Sequence, residues 1–161
     1  MNRKNLPKKL WQWLDAAKED ALKIADDPSY ILDMDVWHLP VEGVCHVCLA
    51  GAVMAQTLQV SKQYSSSVIM LNLPPKIRAR LAAIDNLRAL DFMSCLESFY
   101  PRGRGVPTVV VSAVVSAIEA INYESRGIEP LEGVVAKRDI KKFFAHPTII
   151  RFRAILKQYD L

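Results

Sequence analysis

The chain has 161 residues and a net charge of +4, with 51% apolar and 24% charged residues. These values fit one globular domain with its own core and exclude a disordered chain. No apolar run reaches the ~18 residues of a membrane helix, the charged start (Arg3, Lys4, Lys8, Lys9) leads into no apolar signal core, and three cysteines make no disulfide framework, so a cytoplasmic protein is expected.

The first helix is predicted over 7–25. Pro7 suits a first helical position, and Leu10, Leu14, Ala17, Ala21 and Ile24 recur at three and four residues. Trp11 and Trp13 are two apart and cannot both lie in the centre of that stripe. Asp26-Asp27-Pro28-Ser29 stops the helix in a turn. Residues 30–43 show no clean period and read as an irregular connector with a short strand.

A second helix is predicted over 44–59, with Val44, Val47, Cys48, Gly51, Met54, Ala55 and Leu58 on one face. Its near absence of charge marks it as central and buried. A glycine inside a helix costs up to ~1 kcal/mol relative to alanine, so Gly51 points to a neighbouring backbone packed closely against it. Residues 61–73 read as a loop, with a short strand at 68–71. Pro74-Pro75 then opens a helix over 76–99, with Ile77, Leu81, Ile84, Leu87 and Leu90 as its core face.

From Thr108 the β-branched run resembles a strand, but Ser112, Ser116 and Glu119 recur at four and three, so the period predicts a helix ending at Arg126-Gly127. A short helix over 136–145 follows a Pro130-containing connector. Pro147 opens the last helix, to about 159. The expected fold is a mostly α, single-domain bundle of five or six helices with room for a short two-stranded element.

Charge is unevenly placed. Residues 10–44 hold eight acids against Lys18 and Lys23, whereas residues 137–161 hold seven basic residues against Asp139 and Asp160. That asymmetry fits an internal match between the two ends, two surfaces with different partners, or ordinary solvated helix faces.

Cys45-His46-Val47-Cys48 is the sharpest local pattern. A C-x-x-C pair can clamp a metal or cycle as a dithiol, and a zinc site would need two more ligands from Cys95, His38, His46 and His146. Against these stands the packing role of small apolar thiols on a buried face, which is the expectation here. The acids Asp26, Asp27, Asp33 and Asp35 match no calcium loop and read as turn residues. No phosphate-loop or dinucleotide motif occurs, and no serine, cysteine or carboxylate has an identifiable base partner. No catalytic residue and no cofactor is therefore assigned.

Trp37 followed by Cys45-His46-Val47-Cys48-Leu49-Ala50-Gly51-Ala52 resembles a motif in small uncharacterised proteins of tailed phages and prophages, as does Leu87-Arg88-Ala89-Leu90-Asp91-Phe92-Met93. The resemblance covers about a third of the chain. It implies a phage accessory protein acting in a bacterial cytoplasm on a host or phage macromolecule, and it transfers no catalytic residue. From the residues, the expected function is a non-enzymatic interaction protein that binds another protein. Its contact surfaces would be the acidic first helix with Trp11 or Trp13, the loop with Arg102 and Arg104, and the basic residues Lys141, Lys142, Arg151, Arg153 and Lys157. The same five basic residues give the alternative of a nucleic-acid binder, and Cys45 with Cys48 a further one of a metal or redox protein. Oligomeric state is left open.

Overall fold

The computed structural model of the chain describes residues 5–101, 105–125 and 127–161. Among these residues the fold is mostly helical, with eight α-helices and one three-stranded sheet. In chain order the elements are α1 (Leu10–Ala25), β1 (Tyr30–Leu32), β2 (His38–Val41), β3 (Val44–Val47), α2 (Leu49–Ala55), α3 (Ser66–Asn72), α4 (Pro75–Arg88), α5 (Phe92–Phe99), α6 (Thr108–Glu124), α7 (Lys137–Ala145) and α8 (Pro147–Gln158). The mostly α expectation holds, but the helices exceed five or six and the sheet has a third strand.

Each difference has a local cause. The helix expected over 44–59 begins as strand β3, because β3 is the middle strand of the sheet. It pairs parallel with β1, Tyr30 opposite Cys45, and antiparallel with β2, Val41 opposite Val44. A ladder on both sides outweighs a helical pattern that four residues cannot assert. Glu42 and Gly43 both have positive φ, +48° and +87°, which is the two-residue hairpin geometry joining β2 to β3. The helix expected over 76–99 is cut in two: Leu90 takes φ +59°, and Asp91 caps α5 by accepting from the Ser94 N–H at 2.9 Å. The stretch expected as a loop with a short strand at 68–71 carries α3, of which only Ile69 is buried.

The core runs through α1, whose buried stripe is Leu10, Trp13, Leu14, Ala17, Ala21 and Ile24. This helix packs against α2, α4, α7, α8 and β1. Residues Leu49 to Met54 of α2 are all buried, as its low charge implied. The close backbone approach expected at Gly51 is the carbonyl of Trp37: a Cβ on Gly51 would lie 1.5 Å from that oxygen. At the far side of the core Phe92 of α5 stacks on Phe152 of α8, ring centres 4.5 Å apart. The 127–136 connector runs beside β1, with Met34 N–H on the Gly133 carbonyl at 2.7 Å and Val135 N–H on that of Leu32 at 3.0 Å.

Candidate functional site

The C-x-x-C pair straddles a strand–helix junction. Cys45 sits in β3 and Cys48 is the N-cap of α2. Both are free and buried, as is Cys95. A cap position would favour a thiolate, and the amides of Gly51 and Ala50 do lower the Cys48 pKa, but burial dominates and pushes it up to about 12. Burial likewise pushes Cys45 up to about 11. At both sulfurs burial therefore disfavours the thiolate.

Cys45 does have a histidine beside it. His38 is fully buried, and its Nδ1 lies 2.7 Å from the Tyr64 carbonyl, so Nδ1 carries the proton and donates. The Cys45 Sγ is 3.5 Å from Nδ1 and 3.6 Å from Nε2, so it sits against the ring and not along one lone pair. This is a packed pair, not a nucleophile aligned with its base. His46 turns the other way, its Nδ1 3.0 Å from Asp33 Oδ2. His146 caps α8 by accepting from the Thr148 N–H at 3.2 Å. Among the described residues no three His, Cys, Asp or Glu side chains converge to hold a metal ion. The aspartates 26, 27, 33 and 35 do turn and pairing work. Asp27 accepts from both the amide and hydroxyl of Ser29, which hold its carboxyl below the usual range.

Burial lowers the pKa of His38, against the raising effect of the Tyr64 hydrogen bond. The folded state therefore keeps this ring neutral where the unfolded chain takes up a proton, and stability falls as pH drops below the unfolded histidine value near 6.5. The melting temperature is expected to fall between about pH 7.5 and about pH 5.5, and the fall to be shallower in His38→Gln. Buried Asp20, whose carboxyl is raised by burial, acts with the opposite sign, so the comparison of the two slopes is the measurement that decides. Equal slopes would remove His38 from the account.

The surface residues expected at an interface divide sharply. Trp13 is fully buried, with Nε1 donating to the Pro7 carbonyl at 2.8 Å, so it is a core residue and not a contact. Trp11 is half-buried, with Arg153 and Lys157 each 5.4 Å from its ring centre. Arg153 grips Asp15 through two bonds of 2.6 Å, and Arg151 reaches Glu124 at 2.6 Å. Lys137 pairs with Asp26 and Lys9 with Asp160. The internal match between the two charged stretches is present in two pairs, Asp15 with Arg153 and Asp26 with Lys137, which tie α8 and α7 to α1. Lys141 and Lys142 remain exposed on α7 without a carboxylate in reach among the described residues. Arg102 and Arg104 lie outside the described residues.

A surface that sequence reasoning did not single out lies between α5 and α6. Met93, Leu96, Val106, Val111, Val115 and Leu161 line a mostly apolar groove of about 420 Å3. Of the 17 residues of α6 only Val114, Ile118 and Ile121 are buried, while Val109 is 81% exposed. Ser112, Ser116 and Glu119, the polar stripe read from the sequence, are exposed on α6, and Val114, Ile118 and Ile121 are buried on its other side. Compared with family models, curated proteins and solved structures, the chain matches none.

Proposed function

We propose that the protein is a non-enzymatic interaction protein that binds another protein through α6 and the groove beside it. The observation that carries this reading is the mostly apolar groove between α5 and α6, together with Val109 left exposed in the first turn of α6. The helix α6 packs chiefly on α8 and α5, turns Ser112, Ser116 and Glu119 to solvent, and leaves Val109 81% exposed. The groove is lined from α6 by Val111 and Val115. Its complement is an amphipathic helix of a partner, with apolar anchors three and four residues apart. The likeness of Trp37 and residues 45–52 to phage and prophage proteins supports a partner in a bacterial cytoplasm, of host or phage origin. A nucleic-acid interface on the C-terminal helices has less support, because Arg151 and Arg153 are engaged by Glu124 and Asp15.

Val109→Asp is the test. Because the side chain is 81% exposed, unfolding stability should change by less than about 0.5 kcal/mol. Capture of a bacterial protein at moderate salt, and its crosslinking to a photoreactive residue at 109, should both be lost. The same capture by Val109→Asp as by the parent, or crosslinks from position 141 and none from 109, would overturn the reading.

A further inference from the structure

A second groove, of about 630 Å3, runs between the start of α4 and the end of α5. Lys8, Lys76 and Arg80 converge on it with Phe99, Tyr100 and Pro101, and no carboxylate lines it. Four basic side chains elsewhere meet acids: Arg88 meets Asp85, Arg151 meets Glu124, Arg153 meets Asp15 and Lys9 meets Asp160. Lys141 and Lys142 of α7 stand without an acid in ion-pair distance among the described residues, but they line no aromatic groove with a third cation. Among the described residues no acid lies within ion-pair distance of Lys8, Lys76 or Arg80. The rest of the chain, 1–4, 102–104 and 126, includes no acid either.

Arg80 is the distinctive member. Its guanidinium carbon lies 5.6 Å from the ring centre of Trp13 and 5.6 Å from that of Phe99. The two rings fix the fork in place and strip part of its water, and that burial lowers its pKa. A guanidinium so placed, without a counter-ion, is where an anion recovers the most energy. Asp160 is the one acid felt at Tyr100, and it is already engaged by Lys9 at 2.9 Å.

We propose that this groove binds a small phosphorylated ligand, with phosphoryl oxygens on Arg80, Lys76 and Lys8 and a flat or apolar body against Phe99, Tyr100 and Pro101. Three cations match a group carrying two or more negative charges, and the planar guanidinium suits the paired oxygens of a phosphoryl group. The volume is within the range of small-molecule sites. The site is separate from the α5–α6 groove, although Tyr100 and Pro101 border both.

Calorimetric titration of the full chain with sodium tripolyphosphate, and with ATP in the presence of a chelator, tests this. Both should bind, ATP more tightly because only it carries a body for the aromatic wall. The double variant Lys8→Ala/Lys76→Ala should weaken both by about tenfold or more. Lys141→Ala/Lys142→Ala removes the same charge from α7 and should leave both unchanged. Three results would overturn the proposal: no binding of either probe at millimolar concentration, equal weakening in the two double variants, or binding of a single-stranded oligonucleotide alone.

Discussion

Replacing Gly51 by alanine is expected to abolish stable folding. The added Cβ would lie 1.5 Å from the Trp37 carbonyl oxygen, 2.7 Å from the carbonyl carbon and 2.9 Å from the Cβ of Val47. None of these is the loose end of a side chain. Trp37 immediately precedes β2, Val47 ends β3, and the Cys48 N–H donates to the same Trp37 oxygen at 3.4 Å. Relieving the overlap means pulling the chain before β2 off the start of α2. In an open helix the same substitution gains up to ~1 kcal/mol, so here even the sign is diagnostic. Overpacking usually costs about 1–3 kcal/mol because side chains give way. Collision with a main-chain carbonyl belongs in the tail above about 4 kcal/mol, a large part of the ~5–15 kcal/mol that holds a domain together. Circular dichroism melts of Gly51→Ala, with Gly51→Ser as a second case, measure it. A melting temperature close to that of the parent would mean that Trp37 does not rest on α2.

That joint gives the C-x-x-C stretch a physical account. Residues 45–52 thread a strand, a cap and a helix start under the Trp37 carbonyl, which leaves no room for a side chain at Gly51. Cys45 lies against the His38 ring, and the Cys48 Sγ is 3.7 Å from Asp85 Oδ1 and 4.0 Å from the Trp37 oxygen. Burial raises the pKa of both sulfurs and sets them in contact with the core, which fits the packing role. The interaction reading depends on this. On that reading the apolar groove beside α6 and the cations without an acid partner among the described residues are what is left for other molecules.

How much of this was legible depended on whether local pattern or long-range pairing fixed each element. Helices α1, α6, α7 and α8 lie close to their predicted bounds, because a 3.6-residue stripe with Pro7, Pro147 or Gly127 near its ends needs no distant partner. The strands span only three or four residues each. No period can be established over that length, and β3 is a strand only because β1 and β2 flank it. The break between α4 and α5 lacks glycine and proline, and its one signal is Asp91 ahead of an apolar run, an N-cap pattern. The charge asymmetry was visible, but its resolution into Asp15 with Arg153 and Asp26 with Lys137 joins residues more than a hundred positions apart. The candidate grooves were illegible for the same reason. Lys8, Arg80 and Tyr100 are strangers in sequence, and although Ser112, Ser116 and Glu119 mark the side of α6 that faces solvent, nothing in the sequence brings α5 beside it.

The two tryptophans of α1 should respond very differently to removal. Trp13 is fully buried, donates to the Pro7 carbonyl and supports Arg80 on its ring face. Trp13→Ala takes away a large core side chain and its hydrogen bond together, and should cost about 3–5 kcal/mol. Trp11, two residues away, projects towards α8, and its Nε1 is buried without a hydrogen-bond partner among the described residues. Truncating it forfeits the contacts of its ring with Arg153 and Lys157 but also removes an unsatisfied donor, and Arg153 keeps its two bonds to Asp15. The net cost should be about 1 kcal/mol. Urea unfolding of the two variants separates them, with a clear drop in midpoint for Trp13→Ala and a small one for Trp11→Ala. Equal losses would mean that both rings serve the core. A larger loss at Trp11 would move the seam between α1 and α8, with its paired charges, from an accessory contact to the principal tie across the fold.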